Sequence, residues 1–205
     1  MAKFKFFTLW LAAACIIMFI LQLIIPNFTE SLLLNQQSFI QPWRFITAIF
    51  LHGSVTHLLY NLFALVLFGL ILESIVGSNR FLVVFFAGGI IANLVSVNFY
   101  SSSLGASGAI FGIIGAVAVL KPLMTVWAFS LPMPMFVAAI LWVIGDMLGI
   151  FMPSDTANIA HLSGIAVGII LGLAFRLAIK FPKSEEHKIR IPESRMREWE
   201  DEYVR

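Results

Sequence analysis

The chain has 205 residues, of which 60% are hydrophobic and only 12% are charged. Soluble globular domains average about 45–50% apolar and about 25% charged residues, so this composition excludes a soluble protein and indicates an integral membrane protein. The formal net charge of +2 is small, and the positions of the charges are more informative than their sum.

Six hydrophobic segments follow in chain order, separated by loops that contain glycine, proline and serine. They cover residues 4–25, 55–74, 80–98, 107–120, 134–150 and 158–179. A full membrane crossing takes about 20 helical residues, a requirement that tilt and burial among other helices relax. We therefore predict an all-α polytopic membrane protein with six transmembrane helices.

The hydrophobic segments end near residue 180, and residues 181–205 mix positive and negative charges. We interpret residues 1–180 as one transmembrane domain and residues 181–205 as a short charged tail in solvent. Within the tail, Pro192 predicts the start of a short helix that continues to Tyr203. The first segment is longer than the core of a signal peptide and lacks a cleavage site, so we interpret it as a retained span.

Lysine and arginine residues orient the bundle, because an even number of spans places both termini on the same side. A cytoplasmic assignment puts most basic residues inside, namely Lys3, Lys5, Arg80, Lys121, Arg176, Lys180 and the tail. Only Arg44 then lies outside, as the bias of positive charge toward cytoplasmic loops predicts. Without a signal for a eukaryotic organelle, we expect a multi-pass protein of a prokaryotic cell membrane.

Polar residues on the second, fourth and sixth segments are predicted to lie at one depth. Asn61, Ser107 and His161 each precede a marker of the inner surface by 14 or 15 residues. At 1.5 Å per residue they lie ~21–23 Å above the inner face, or roughly 8 Å below the outer surface. Small residues at a four-residue period predict close packing of the fourth and sixth helices, and these are Gly108, Gly112, Gly164, Gly168 and Gly172.

Ser107 begins the fourth segment, where free backbone N–H groups and the helix dipole favour an anion, as acyl transfer requires. The alternative is a serine that only caps the helix. His161 is a candidate general base and acid, because histidine changes protonation near neutral pH. Phe111 projects on the same helical face as Ser107 and is expected to hold the imidazole by ring stacking.

An acidic third member of this pair is not evident from the sequence. Asp146 lies about one turn from the outer end of the fifth segment, and Asp155 lies in the following loop. We interpret both as side chains that reach for water. The expected arrangement is therefore a Ser–His dyad rather than a triad.

His52, His57 and Asn61 form a second polar group, in which His57 and Asn61 share a helical face. Neutral donors at these positions are suited to complete an oxyanion hole with the N–H of Ser107. Histidines at this spacing also bind zinc. Because no carboxylate or cysteine lies near them in sequence and asparagine is a poor zinc ligand, we predict no metal and no cofactor.

These residues together resemble the rhomboid family of intramembrane serine proteases in its minimal six-span form. Four motifs carry the resemblance, in the family's order: Trp43-Arg44, His52 with His57-x-x-x-Asn61, Gly105-Ala106-Ser107-Gly108, and Ala160-His161-x-x-Gly164-x-x-x-Gly168. The resemblance covers nearly the whole chain. It implies that Ser107 is the nucleophile, that His161 is the base, and that Ser107, His57 and Asn61 form the oxyanion hole. It implies supporting roles for His52, Phe111, Gly105, Gly108, Trp43 and Arg44.

The resemblance also implies a first loop that is partly submerged in the membrane and a structural role for Glu73. It implies that the fifth helix and the loop after it form a lateral gate and cap. Phe111 stands where some members have tyrosine, which preserves ring stacking and removes the hydroxyl. The implied activity is endoproteolysis of single-span membrane proteins near the outer end of their transmembrane segment, with small residues at the cut. The implied partners are these substrates and the lipid bilayer, without nucleic acid.

Two other functions remain open from the sequence. A catalytically inactive rhomboid-like protein binds membrane clients without cutting them, although such relatives lack the serine or the histidine that this chain has. A proton-coupled transporter or channel is the second alternative, with His52, His57 and His161 as a relay.

Overall fold

The computed structural model describes residues 5–151, 157–178 and 192–204. Lys3, Asp155 and Lys180, named above, lie outside these ranges. The described helices are α1 (Phe7–Ile24), α2 (Phe28–Leu32), α3 (Arg44–Thr47), α4 (Val55–Val76), α5 (Ser78–Ser96), α6 (Ser107–Leu120), α7 (Met135–Gly149), α8 (Asn158–Ala178) and α9 (Glu193–Tyr203). The short tail helix predicted after Pro192 is confirmed as α9, which has no buried residue.

Each of the six hydrophobic segments corresponds to one helix, namely α1, α4, α5, α6, α7 and α8. Four of them, α1, α4, α5 and α8, are long and apolar enough to cross a membrane. The helices α6 and α7 have 14 and 15 residues. They are therefore about 21–22 Å long, shorter than the ~30 Å hydrocarbon core of a bilayer. The chain is an integral multi-pass membrane protein, with four candidate spans by length and composition in its described part.

The helix α6 is central to the bundle and packs against α4, α5, α7 and α8. A Cβ atom on Gly164 of α8 would overlap the carbonyl oxygen of Gly108, and one on Gly168 would overlap that of Gly112. On the α5 side, a Cβ on Gly88 would lie 3.3 Å from the Cα of Gly112. The backbones of α6 and α8 are thus in direct contact, and the close packing predicted from the glycine spacing is confirmed.

The carboxylate of Glu73 fixes the start of α1 against α4. It is fully buried, and its two oxygens accept hydrogen bonds from the backbone N–H groups of Phe7 and Thr8 at 2.9 and 3.0 Å. The hydroxyls of Thr8 and Ser78 donate to it at 2.8 and 2.6 Å. The first N–H groups of a helix lack partners within the helix. These contacts therefore supply hydrogen-bond partners both to the first N–H groups of α1 and to the buried carboxylate.

Arg44 organises the loop between α1 and α4. Its buried guanidinium donates hydrogen bonds to the backbone carbonyls of Glu30 and Leu33, each at 2.8 Å, and to Oε1 of Gln41 at 2.6 Å. A guanidinium has several donors in a rigid plane and no acceptor. With Oε1 of Gln37 at 3.5 Å as a fourth acceptor, the bonds that converge on Arg44 close the loop into a compact unit.

The structure differs from the predicted all-α fold in two small antiparallel sheets. Their strands are β1 (Leu34–Asn35) paired with β2 (Ser102–Ser103), and β3 (Thr125–Ala128) paired with β4 (Leu131–Pro134). Phe129 and Ser130 form the turn between β3 and β4 with φ values of 53° and 62°. Two-residue hairpin turns need positive φ and are usually signalled by asparagine, aspartate or glycine. The turn residues here lack that signal, which is why the sequence did not predict the hairpin.

Gly168→Ala is expected to lower the thermal unfolding midpoint of the purified protein in detergent. The added methyl group overlaps the carbonyl oxygen of Gly112, a backbone atom held within α6, and overpacking a filled interior costs about 1–3 kcal/mol. The matched control is Gly145→Ala, whose methyl group meets open space beside α7 and improves helix propensity. An equal fall of the midpoint in both variants would contradict the close packing of α6 against α8.

Candidate functional site

Ser107 is the first residue of α6, and its side chain does not cap the helix. The N-cap residue is Ala106, which makes no side-chain capping hydrogen bond. The alternative that Ser107 is only a cap is therefore wrong. Its side chain is half-buried and lies where the free N–H groups of the first helical turn make the surroundings electropositive.

The backbone of Gly105 holds the turn that precedes Ser107. Its φ of +127° is a conformation that favours glycine, and its N–H donates to the carbonyl of Ala48 in the first loop at 2.9 Å. A Cβ on Gly105 would lie 2.8–2.9 Å from the ring of His57 and 4.0 Å from Oγ of Ser107. The imidazole of His57 therefore packs against the turn that carries the serine.

The hydrogen bonding of His57 assigns its tautomer. The backbone N–H of Gly53 donates to Nδ1 of His57 at 3.4 Å, and a neutral imidazole that accepts at Nδ1 carries its proton on Nε2. Nε2 is one of the two ring atoms that pack against Gly105. His57 thus presents a neutral N–H donor beside the Ser107 turn.

Asn61 and His52 support His57. Nδ2 of Asn61 donates to the carbonyl oxygen of His57 at 2.9 Å, while its Oδ1 is buried without a partner among the described residues. The ring of His52 lies edge-on to that of His57, with centroids 5.1 Å apart. Burial lowers the pKa of His52 to about 4, so this ring is neutral at neutral pH.

Gln22 of α1 is a supporting residue that the sequence interpretation missed. Its Nε2 donates to the carbonyl oxygen of His52 at 3.1 Å, and its Oε1 accepts from the N–H of His52 at 3.0 Å. The two bonds fix the main chain just before α4. An amide within the first hydrophobic segment was the available signal, because polar groups at membrane depth are costly unless they are paired.

The expected stacking of Phe111 on His161 is present. The two rings are 4.2 Å apart between centroids, with an angle of 6° between their planes. Since Phe111 lies one turn after Ser107, the stack sets the imidazole beside the helix that begins with the serine. The side-chain hydrogen bond of His161 within the described ranges joins it to Asp146 rather than to Ser107.

The expectation that Asp146 reaches for water is wrong. Its side chain is buried, and its Oδ1 lies 3.0 Å from Nδ1 of His161. An acidic residue inside an apolar helix was the signal for this role. Its partner is 15 residues away on another helix, so helical spacing does not reveal the pair.

The other sequence-predicted residues position elements of the fold. Gly108 lets α5 approach α6, because a Cβ there would lie 2.6 Å from Cβ of Ala92. Trp43 precedes α3 and is half exposed, while the guanidinium of Arg44 is bound within the first loop. Neither has a described contact with Ser107 or His161.

Comparison with known proteins matches the rhomboid domain to residues 40–178. The chain is 34% identical to RHOMBOID-like protein 6, mitochondrial, of Arabidopsis thaliana over 134 residues, which is 64% of this chain and 43% of that protein. It is 34% identical to the putative rhomboid protease YdcA of Bacillus subtilis over 145 residues, 63% of this chain and 65% of that protein. It is 28% identical to the rhomboid protease GlpG of Yersinia pseudotuberculosis over 172 residues, 80% of this chain and 60% of that protein.

The chain thus spans less than two thirds of the length of each of these relatives. The domain match begins in the first loop and ends with α8, so it contains Ser107, His161, His57 and Asp146. On this match, the chain belongs to the rhomboid family.

Proposed function

We propose that the protein is an intramembrane serine endopeptidase in which Ser107 and His161 form the catalytic pair. The observation that carries the proposal is the stack of His161 on Phe111, one turn after Ser107 at the start of α6. Two of the relatives are named as rhomboid proteases, which supports the same reaction class for this chain.

The residues divide the reaction between them. Oγ of Ser107 attacks the carbonyl carbon of the scissile peptide bond while its proton passes to Nε2 of His161. When the tetrahedral intermediate collapses, the C–N bond breaks and His161 returns the proton to the leaving amine. Water then attacks the acyl-enzyme, giving a proton to His161, and Ser107 regains a proton as the acid product leaves.

The negative charge on the carbonyl oxygen is stabilised by donors around the serine turn. The backbone N–H of Ser107 and Nε2–H of His57 are neutral donors on this side of the site. An amide NH2 has two hydrogens, so Asn61 retains one donor besides its bond to the carbonyl of His57. Preorganised donors of this kind act strongly where water is restricted.

The proposal includes six spans with both termini in the cytoplasm of a prokaryotic cell. Basic side chains gather at the end of the bundle opposite Ser107: Arg80 lies over the ring of Phe175, and Arg176 donates to the carbonyl of Val119 near the end of α6. Excess positive charge is typical of the cytoplasmic side. A short α6 then begins below the outer surface, which lowers Ser107 into the membrane.

Residues 1–180 form the membrane domain of this proposal, and residues 181–205 its cytoplasmic tail. The first loop exposes large apolar side chains although it lies outside the candidate spans, and these include Phe39, Ile40, Trp43 and Ile46. Contact with lipid rather than water suits such side chains. This supports a loop that is partly submerged in the outer leaflet.

The proposed substrates are membrane proteins with one transmembrane helix, cut near its outer end at small residues. In an intact helix the backbone groups of the scissile bond are hydrogen-bonded and shielded, and lipid does not replace those bonds. The substrate must unwind where water is present. Residues 53–56, next to His57, are exposed, which supports access of water to the side of the site where His57 lies.

Ser107→Ala is expected to lower the cleavage rate of a reporter substrate with one transmembrane helix by at least about 10³-fold, because the nucleophile is removed. The matched control is Ser74→Ala, which removes an exposed hydroxyl from α4 and should leave the rate unchanged. Purified proteins in liposomes are compared by gel and mass spectrometry.

Unchanged cleavage by Ser107→Ala would refute the proposed nucleophile. Substrate binding without cleavage by the wild type would favour an inactive client-binding protein, and proton-driven flux would favour a transporter.

His57→Phe is expected to lower kcat roughly 10²–10³-fold with little change in KM, because it keeps a ring against Gly105 and removes an oxyanion donor. Tyr60→Phe removes a polar group from the exposed side of the same helix and serves as the control. Initial rates over a range of substrate concentrations in detergent separate the two constants. A change confined to KM would show that His57 binds substrate rather than stabilising the oxyanion.

A further inference from the structure

The carboxylate of Asp146 is a buried acidic group that the reaction above does not use. Its Oδ1 contacts Nδ1 of His161 at 3.0 Å, and its Oδ2 is buried without a hydrogen-bond partner among the described residues. Burying a charged group is costly unless it is paired. The one described partner of this carboxylate is the proposed general base.

We propose that Asp146 is a positioning residue that keeps the proton of His161 on Nδ1, leaves Nε2 free to accept the proton of Ser107, and ties the base to α7. The inference rests on the proposed function, because it assigns Asp146 a role in that reaction. It changes the proposed site from a pair on α6 and α8 to a three-helix arrangement.

Two contacts together define the orientation of the imidazole. The stack on Phe111 fixes the plane of the ring, with an angle of 6° between the ring planes, and leaves rotation within that plane unconstrained. The bond from Nδ1 to Asp146 supplies the missing constraint. With Nδ1 occupied by a proton that it donates, the neutral ring has its lone pair on Nε2.

The carboxylate also acts when His161 accepts the proton of Ser107. The resulting imidazolium lies 3.0 Å from Asp146, and attraction between opposite charges is strong where water is restricted. Asp146 is therefore the group placed to stabilise the charged base.

The position of Asp146 couples the base to α7. The other buried residues of α7 are Met135, Ala138 and Ala139, in its first turns. Around Asp146, the side chains of Ile144, Met147 and Leu148 are exposed. In the C-terminal half of α7, Asp146 is the buried residue and contacts His161 of α8. A displacement of more than about 1 Å takes the pair beyond hydrogen-bond distance and releases His161.

Asp146→Asn tests the role with little change in volume. We expect kcat to fall at least about tenfold while KM stays within about twofold, because the amide has no charge and its NH2 favours the unproductive tautomer. Asp146→Glu, which restores the carboxylate, should recover part of kcat. The controls are Met147→Ala on the exposed side of α7 and Asp201→Asn on the exposed helix α9. Rates are expressed per folded molecule, with folding measured by the thermal unfolding midpoint.

The tautomer of His161 gives a readout that does not depend on cleavage. In ¹⁵N spectra of histidine-labelled protein, assigned with His161→Gln, the wild type should show the proton on Nδ1, and Asp146→Asn should show a population with the proton on Nε2. If Ser107→Ala still cleaves, the proposed function fails while the spectrum is unaffected. Unchanged kcat in Asp146→Asn would overturn the positioning role. A loss explained entirely by unfolding, or a wild-type His161 protonated on Nε2, would overturn it equally.

Discussion

The direct backbone contact between α6 and α8 is the constraint on which the rest of the site depends. Glycines on both helices let the carbonyl oxygens of Gly108 and Gly112 reach the backbone of α8. Ser107 immediately precedes the first of these contacts, and His161 lies three residues before Gly164 in the other helix. The packing that stabilises the bundle therefore also places Ser107 and His161 within about one helical turn of each other along the two helices.

Paired polar groups hold the surrounding elements to this contact. Glu73 accepts hydrogen bonds from the first N–H groups of α1, Arg44 closes the first loop, and Gln22 fixes the main chain before α4. The first loop in turn holds the turn before Ser107 through the carbonyl of Ala48. An unpaired polar group at membrane depth is costly. Each of these bonds therefore favours the one relative position of its two elements in which both polar groups are paired. A rigid scaffold of this kind is what preorganised catalysis requires.

The sequence predicted the features that depend on local spacing. The hydrophobic segments and the glycine faces follow from periodicity along one helix, and the tail helix follows from the start signal at Pro192. The stack of Phe111 on His161 was predicted because Phe111 shares a helical face with Ser107 and because the residue count places Ser107 and His161 at a similar depth. Contacts between distant residues were not accessible in this way. Asp146 and Gln22 reach partners on other elements, and a single polar residue in an apolar segment does not identify its partner. The hairpin at Phe129 and Ser130 was missed because its turn lacks the usual residues.

The central claim is that His161 activates Ser107 as a nucleophile, and covalent labelling tests it most directly. Purified protein is incubated with a fluorophosphonate, and the modified residue and labelling rate are determined by intact-mass and peptide mass spectrometry. We expect one adduct, on Ser107, that forms at least about 10²-fold more slowly in His161→Gln, because general-base assistance contributes that order of rate. An adduct on another residue, or an equal rate on Ser107 without His161, would contradict the account.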